Sequence, residues 1–303
     1  MVRRYRSLSS RLKSMFGESV RKITLDAGLN CPNRDGTIGR GGCIYCNPRG
    51  SGTGAYADGL SIEQQMDRAM EFLKKRYKCR KFIAYFQSFT NTYADLDTLD
   101  RIYSAALARP ETVGLSIGTR PDCVSDDVLD LIAEKARNRL VWMEYGLQSA
   151  HAETLRRVNR GHGPDAFFDA VERTLSRNIQ VVAHLILGLP GESTDDMVKT
   201  ARLAAAAGIQ GAKLHPLYVI KGTPLETMFR QGLYQPLTEQ EAAEATLAVL
   251  GNLPRSVVIH RFTSDPHQEE LAAPMWMLDG RGVRRRLELL MEERGFMQGA
   301  DCG

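Results

Sequence analysis

Three of the six cysteines of this 303-residue chain lie close together near its start. Cys31 and Cys43 are separated by eleven residues, Cys43 and Cys46 by two, and no fourth cysteine lies nearby. Thiolates bind zinc and iron–sulfur clusters, but a structural zinc ion takes four protein ligands. The nearest histidine that follows is His151, so the fourth zinc ligand would have to come from the fold. The ligand count therefore favours a [4Fe–4S] cluster with one iron left open to a small molecule.

The composition is that of an ordinary globular protein, with 43% hydrophobic and 25% charged residues. No apolar run approaches the ~18 residues of a membrane span, and the basic start has no apolar core like that of a secretory signal. A transit peptide remains an alternative for this Arg- and Ser-rich start. We expect a cytoplasmic protein without a membrane partner, in which the thiols stay reduced and serve a metal or redox function.

Two basic runs concentrate the positive charge of a chain whose formal net charge is +4. They are residues 74–81 and 281–294. Such runs can contact a phosphate backbone. The alternative is that they are solvated faces and ends of helices.

Short apolar runs alternate with segments of helical period, which predicts a parallel sheet. The six candidate strands are residues 22–27, 81–87, 112–118, 140–146, 180–188 and 209–217. No dinucleotide-type glycine turn follows the first strand. We therefore predict an α/β fold, an incomplete (β/α)6 barrel (a partial TIM barrel), over residues 21–235, with chemistry at the carboxyl ends of the strands. A basic N-terminal extension (1–20) would precede it. A small, helical C-terminal accessory segment (236–303), with one apolar run at 256–262, would follow.

Several motifs together resemble the radical S-adenosylmethionine (SAM) enzymes. In "CIYC" the aromatic Tyr45 stands directly before the last cysteine, as is typical of that family, although most members have three residues in the first cysteine gap. Four further stretches resemble barrel strands of the YhcC/YtqA type and, more distantly, of the radical SAM domain of the Elongator catalytic subunit. They are GLSIGTRPD, EYGLQSAHAETLRRVNRGH, HLILGLPGES and GAKLHPLYVIKGTPL.

The resemblance implies two cofactors, one [4Fe–4S] cluster bound by Cys31, Cys43 and Cys46, and SAM. In the family, the open iron binds the amino and carboxylate groups of SAM, and reductive cleavage gives a 5′-deoxyadenosyl radical. An electron donor of the flavodoxin or ferredoxin type is then expected. The other three cysteines are scattered, so no second cluster is predicted.

The resemblance also implies residues for SAM. Tyr45 would lie near the adenine, and Glu144 would accept hydrogen bonds from the ribose hydroxyls, supported by Ser116. Strand alternation places Glu144 on the same face as Gly146 and Gln148. The alternative for Glu144 is an ion pair with an arginine from a neighbouring strand.

Four further positions are candidates for SAM contacts. Arg160 would bind the SAM carboxylate, a role for which Arg120 competes unless it is held by Asp122. Gln87 and Ser88 occupy the place of a Gly-Gly-Glu that binds the methionine amine in relatives. Gly188 lies in a glycine-rich turn suited to close approach of the backbone to adenine.

Lys213 and His215 fall on one face of the sixth strand and are the candidates for contact with substrate. A structural role is the alternative for such histidines, and His184 is expected to have one.

The substrate is open among three hypotheses. The resemblance and the basic runs favour tRNA, with chemistry on an existing C5 substituent of the wobble uridine, since no acetyltransferase domain is evident. The second hypothesis is a radical SAM enzyme acting on a small molecule or a protein side chain. The third is a cluster-bearing regulator without turnover, whose partner would be a metabolic enzyme.

Overall fold

Parallel strands run through the centre of the computed structural model, which describes residues 4–50, 55–56, 58–264 and 266–302. In the described part of the chain the main sheet has seven strands in the order β1-β2-β3-β4-β5-β6-β8, every neighbouring pair parallel. Their bounds are β1 Val20–Leu25, β2 Lys81–Phe86, β3 Thr112–Thr119, β4 Leu140–Gln148, β5 Gln180–Leu187, β6 Gly211–Pro216 and β8 Val258–Arg261. The first and last strands do not pair, so the curled sheet is a half-barrel. The predicted partial barrel is confirmed.

Helices connect these strands and cover the outer face of the sheet. They are α1 Leu8–Phe16, α2 Pro32–Asp35, α3 Ile62–Tyr77, α4 Leu96–Leu107, α5 Asp126–Ala136, α6 Ala152–Arg157, α7 Asp165–Leu175, α8 Thr194–Ala206, α9 Pro224–Arg230, α10 Glu239–Gly251 and α11 Gly280–Glu293. A short antiparallel pair, β7 Val219–Ile220 with β9 Leu271–Ala273, lies outside the main sheet. No helix in the described ranges is long and apolar enough to cross a membrane.

The strands carry different residues on their two faces. Leu115, Met143 and Leu214 belong to the main core together with residues of the covering helices. The intervening residues, such as Ser116 and Glu144, point to the concave interior. The interior of the half-barrel is therefore polar at the level of these residues.

The strand β8 extends the sheet beyond the six strands that the sequence predicted. It pairs in parallel with β6, and its Val258 and Ile259 are buried. The sequence analysis placed this apolar run in the accessory segment because the alternation of strands and helices changes after residue 236. In the structure β7, α9 and α10 separate it from β6.

The N-terminal residues pack into the base of the half-barrel. The amide of Ile259 donates to the carbonyl oxygen of Arg6 at 2.8 Å, and α1 packs against β1 and β8. Leu12 of α1 is buried against Val20, Trp142 and other apolar residues near the strand starts. Within the segment expected as a basic extension, α1 thus packs against the sheet.

Replacing Leu12 with alanine tests this role of α1. Because Leu12 is 3% exposed, Leu12→Ala should lower the free energy of unfolding by about 2–5 kcal/mol, through lost burial and a cavity. Met15→Ala, at a 39% exposed position of the same helix, should have a much smaller effect. Urea unfolding followed by tryptophan fluorescence measures both; equal effects of the two changes would show that α1 is not part of the core.

Candidate active site

The carboxyl ends of the strands surround a cavity of about 450 Å³. Cys31, Cys43 and Cys46 all line it. On the other side of the cavity are Glu144, Lys213 and other polar residues of the barrel interior. A volume of this size accommodates an organic cofactor or substrate. The three thiols and the polar interior therefore face one common space.

The loop that carries the cysteines follows β1 and is anchored by its backbone. Cys31 is the N-cap residue of α2, and the amide of Cys46 donates to the carbonyl of Cys43 at 3.0 Å. Between these cysteines, Ile44 donates to the carbonyl of Val158 at 3.1 Å and accepts from the amide of Leu225 at 3.0 Å. The long first cysteine gap is thus filled by α2 and a turn, and the segment between Cys43 and Cys46 is tied to the barrel.

The thiols suit a cluster better than a single ion. Within the described ranges, no three His, Cys, Asp or Glu side chains form a group that could hold one metal ion. Zinc requires ligands that converge on one point, whereas a [4Fe–4S] cube takes each cysteine on a different iron. Three thiols on one cavity wall match the three cysteine ligands of a [4Fe–4S] cluster with one open iron.

Arg160 lies beside the cysteine loop and is buried. Its guanidinium donates to the carbonyl of Gly146 at 2.8 Å and to the sulfur of Cys43 at 3.7 Å. Arg120, its competitor for the SAM carboxylate, forms a two-point ion pair with Asp122 and donates to the carbonyl of Arg160 at 2.8 Å. Both arginines line the cavity, but Arg120 is held by Asp122.

One carboxylate dominates the interior of the half-barrel. Glu144 is fully buried and accepts from Lys22 at 2.5 Å and from His184 at 2.7 Å, and it also contacts Lys213 and Ser116. These partners come from β1, β5, β6 and β3. The carboxylate is thus bound by two cations, as in the ion-pair alternative but with lysines in place of an arginine. The ribose contact of Glu144 stays a prediction, and four side chains already occupy its oxygens.

Burial and charge shift the pKa values of this cluster. Burial alone would raise the pKa of Glu144, but Lys213, Lys22 and His184 hold it well below its usual range. Burial lowers the pKa of Lys213 to about 7 against the attraction of Glu144, and burial and Lys213 lower that of His184 to about 4. The carboxylate is therefore ionised at neutral pH, and His184 is uncharged.

The remaining predicted site residues divide between the cavity wall and the surrounding core. Tyr45, Gln87 and His215 line the cavity, and His215 Nδ1 lies 3.1 Å from the hydroxyl of Ser264. Ser88 is fully buried outside the cavity lining.

Gly188 also lies outside the lining. It has a φ of +80°, and its carbonyl accepts from the hydroxyl of Tyr234 at 3.0 Å. A Cβ at this position would come within 2.8 Å of Leu237, so the residue packs closely against that side chain.

Sequence reasoning did not single out two residues of the interior. Lys22 binds Glu144, and His260 of β8 packs edge-on against Trp142. Gln148, which strand alternation placed on the face of Glu144, lines the cavity with a φ of +67°. Strand alternation from Val20 could have placed Lys22 inside. His260 could not be placed without knowing that β8 joins the sheet.

Comparison with known proteins identifies the family. A model of the radical SAM superfamily matches residues 33–204, and one of the Radical_SAM C-terminal domain matches residues 209–293. The chain belongs to the radical SAM superfamily. It is 36% identical over 297 residues to the uncharacterized protein YtqA of Bacillus subtilis, covering 98% of this chain and 92% of that protein. The resemblance to this type of radical SAM protein is confirmed, and the cofactors are a [4Fe–4S] cluster and SAM.

The chain is also similar to more distant proteins, over about half or most of its length. The structure of the archaeal Elp3 of Methanocaldococcus infernus, with an N-terminal deletion, is similar with a TM-score of 0.70 and 20% identity, covering 92% of this chain. This chain spans only 64% of that one. The tRNA uridine(34) acetyltransferase of M. infernus is 29% identical over 161 residues, which cover 52% of this chain and 30% of that protein.

Neutralising Glu144 tests the interior network. In Glu144→Gln the amines of Lys22 and Lys213 lose their shared anion, so we expect the free energy of unfolding to fall by about 3–5 kcal/mol. Glu153→Gln, which removes an exposed carboxylate on α6, should leave it unchanged. Urea unfolding of both variants gives the comparison, and a wild-type value for Glu144→Gln would contradict the network.

The lowered pKa of Lys213 predicts a pH dependence of stability. The folded state releases the proton near pH 7 and the unfolded state near the ordinary pKa of 10.5, so between these values the unfolded state binds more protons. The contribution of Lys213 to the free energy of unfolding should therefore increase as the pH rises from about 7 to 10.5. NMR of ¹³Cε-labelled lysine, with the Lys213 signal assigned by its loss in Lys213→Met, should show Lys213 releasing its proton near pH 7 in the folded protein. A Lys213 signal that titrates near 10.5 would refute it.

Proposed function

We propose that this protein is a radical SAM enzyme that binds one [4Fe–4S] cluster through Cys31, Cys43 and Cys46. When bound and reduced, the cluster supplies the electron that splits SAM into methionine and a 5′-deoxyadenosyl radical, which abstracts hydrogen from a substrate. The observation that carries the proposal is that all three thiols line the same cavity as the charged residues of the barrel interior.

Residues of this chain would bind both cofactors. The cysteines must be thiolates to bind iron; burial raises the pKa of the Cys46 thiol, and the guanidinium of Arg34 opposes that shift. Tyr45, Gln87 and Arg160 lie on the cavity wall, and we assign SAM contacts to these three. Ser88 and Gly188 lie outside the lining and would act only through the backbone and packing around the site.

The substrate that we propose is tRNA, at an existing C5 substituent of the wobble uridine. The support is the similarity of about half of the chain to a tRNA uridine(34) acetyltransferase. Lys213 and His215, both on the cavity wall, would contact the substrate. The electron donor would be of the flavodoxin or ferredoxin type, and the reaction would take place in the cytoplasm.

A second candidate is a radical SAM enzyme that acts on a small molecule or a protein side chain. This candidate is favoured because many of the basic side chains in the two runs form ion pairs with acidic side chains. The pairs are Lys74–Glu111, Lys75–Glu71, Arg80–Glu18, Lys81–Glu18, Arg284–Glu288, Arg286–Glu239 and Arg294–Glu244. Charges that are already paired contribute less to the attraction of a phosphate backbone.

The cluster assignment is tested by anaerobic reconstitution with iron and sulfide, followed by reductant and SAM. The wild-type protein should form 5′-deoxyadenosine. Cys46→Ser removes a ligand, so it should lose more activity than the roughly 10–100-fold that is typical of a changed outer-shell partner. Cys79→Ser, at a buried cysteine away from the cavity, is the matched control and should retain activity. If Cys46→Ser kept full cluster content and activity, the ligand assignment would be wrong.

The substrate is tested in the same assay with bulk unmodified and hypermodified tRNA. A tRNA substrate should stimulate deoxyadenosine formation, and its binding should weaken steeply with added salt. Stimulation by small molecules or peptides alone would support the second candidate. A fully assembled cluster without deoxyadenosine under any condition would support a regulatory role and a protein partner.

A further inference from the structure

The sulfur of Cys43 lies beside two side-chain N–H donors. The amide nitrogen of Asn33 is 3.8 Å from it, and Nη1 of Arg160 is 3.7 Å from it. Both donors are buried, with Asn33 1% and Arg160 7% exposed. One donor is neutral and the other carries a full positive charge, so the two can be separated by experiment.

The Arg160 guanidinium is fixed in its position by the backbone of β4. Its Nη2 donates to the carbonyl of Gly146 at 2.8 Å. Gly146 has no Cβ, and a Cβ there would lie 2.7 Å from this nitrogen. The strand therefore leaves space for the guanidinium next to the cysteine loop. Its Nε has no hydrogen-bond partner in the described part of the chain, so the contact with sulfur leaves a donor for a ligand.

Asn33 is fixed by the segment that precedes Arg160. Its amide donates to the carbonyl of Asn159 at 2.7 Å, and Asn159 donates to the carbonyl of Gly42, next to Cys43, at 2.8 Å. A Cβ on Gly161 would come within 2.7 Å of Oδ1 of Asn33. Residues 159–161 thus hold the Asn33 side chain, and with it the second donor, close to one particular sulfur.

We propose that Asn33 and Arg160 set the reduction potential of the cluster through the sulfur of Cys43. This inference rests on the cysteine assignment of the proposed function. Reduction adds a negative charge to the cluster, and N–H donors and positive charge at a ligand sulfur stabilise that charge. Both residues therefore raise the potential and make the cluster easier to reduce. Asn33 is a positioning residue, because it acts on the cluster through its ligand. Arg160 has this effect in addition to the SAM contact assigned to it above.

The experiment is a redox titration of the anaerobically reconstituted protein, with the reduced cluster quantified by electron paramagnetic resonance. Arg160→Met removes a charge and a donor, and we expect the ratio of reduced to oxidised cluster at a fixed potential to fall about tenfold, which is about 59 mV for one electron. Asn33→Leu replaces a neutral donor with an apolar side chain of similar size. It should lower the ratio of reduced to oxidised cluster less than Arg160→Met does. Arg160→Lys keeps the charge and should recover part of the loss.

Arg157→Met is the matched control. Arg157 belongs to α6 and does not line the cavity, and its guanidinium donates to the carbonyl of Pro190 at 2.8 Å. The reduction potential of the cluster in Arg157→Met should equal that of the wild-type protein. Cluster content, measured as iron and sulfide per chain, and the Fe–S stretching bands in resonance Raman separate a change at the sulfur from a loss of folding.

Two results would overturn the inference. One is an unchanged potential in Arg160→Met and Asn33→Leu with full cluster content. The other is an equal shift in Arg157→Met, which would show a general effect of lost charge. Failure of the wild-type protein to assemble a cluster would instead contradict the proposed function, and this inference with it.

Discussion

The curvature of the half-barrel is tied to one buried carboxylate. Glu144 of β4 is bound by Lys22 of β1 and by Lys213 of β6, strands that are separated from β4 by two and by one intervening strand. Two amines from opposite sides can reach one carboxylate only if the sheet is curled around it. An unpaired charge in this interior would be costly, so the cluster favours the curled sheet.

That curled sheet places the cysteine loop over a polar cavity. The helices cover the outer, apolar face of the strands, and the carboxyl ends leave one open side. The cysteine loop lies at this side, joined to the 158–161 segment and to the start of α9 by hydrogen bonds. The barrel thus provides an ion-paired interior on one side of the cavity and three thiols on the other.

Much of this arrangement could be predicted from the sequence. The alternation of apolar runs with helical segments gave the parallel order, and the period of two along β4 placed Glu144 and Gly146 inside. The CIYC segment and the strand motifs indicated the superfamily. These features are local, so one chain is enough to recognise them.

The contacts that the sequence did not predict depend on distant pairing. The four residues of β8 form a strand because they pair with the edge strand β6. Helix α1 is buried because it packs against β1 and β8. The partners of Glu144 come from four other strands, so no spacing within one motif identifies Lys22. Likewise, Arg160, one of the two donors to the sulfur of Cys43, is more than a hundred residues away from that cysteine in the sequence.

If three cysteines hold the cluster, one iron is left open to SAM. Mössbauer spectroscopy of the protein reconstituted with ⁵⁷Fe, before and after addition of SAM, distinguishes that iron from the others. We expect SAM to change the signal of one iron of the four and to leave the other three nearly unchanged. Four irons that do not respond to SAM would show that no iron is open to it.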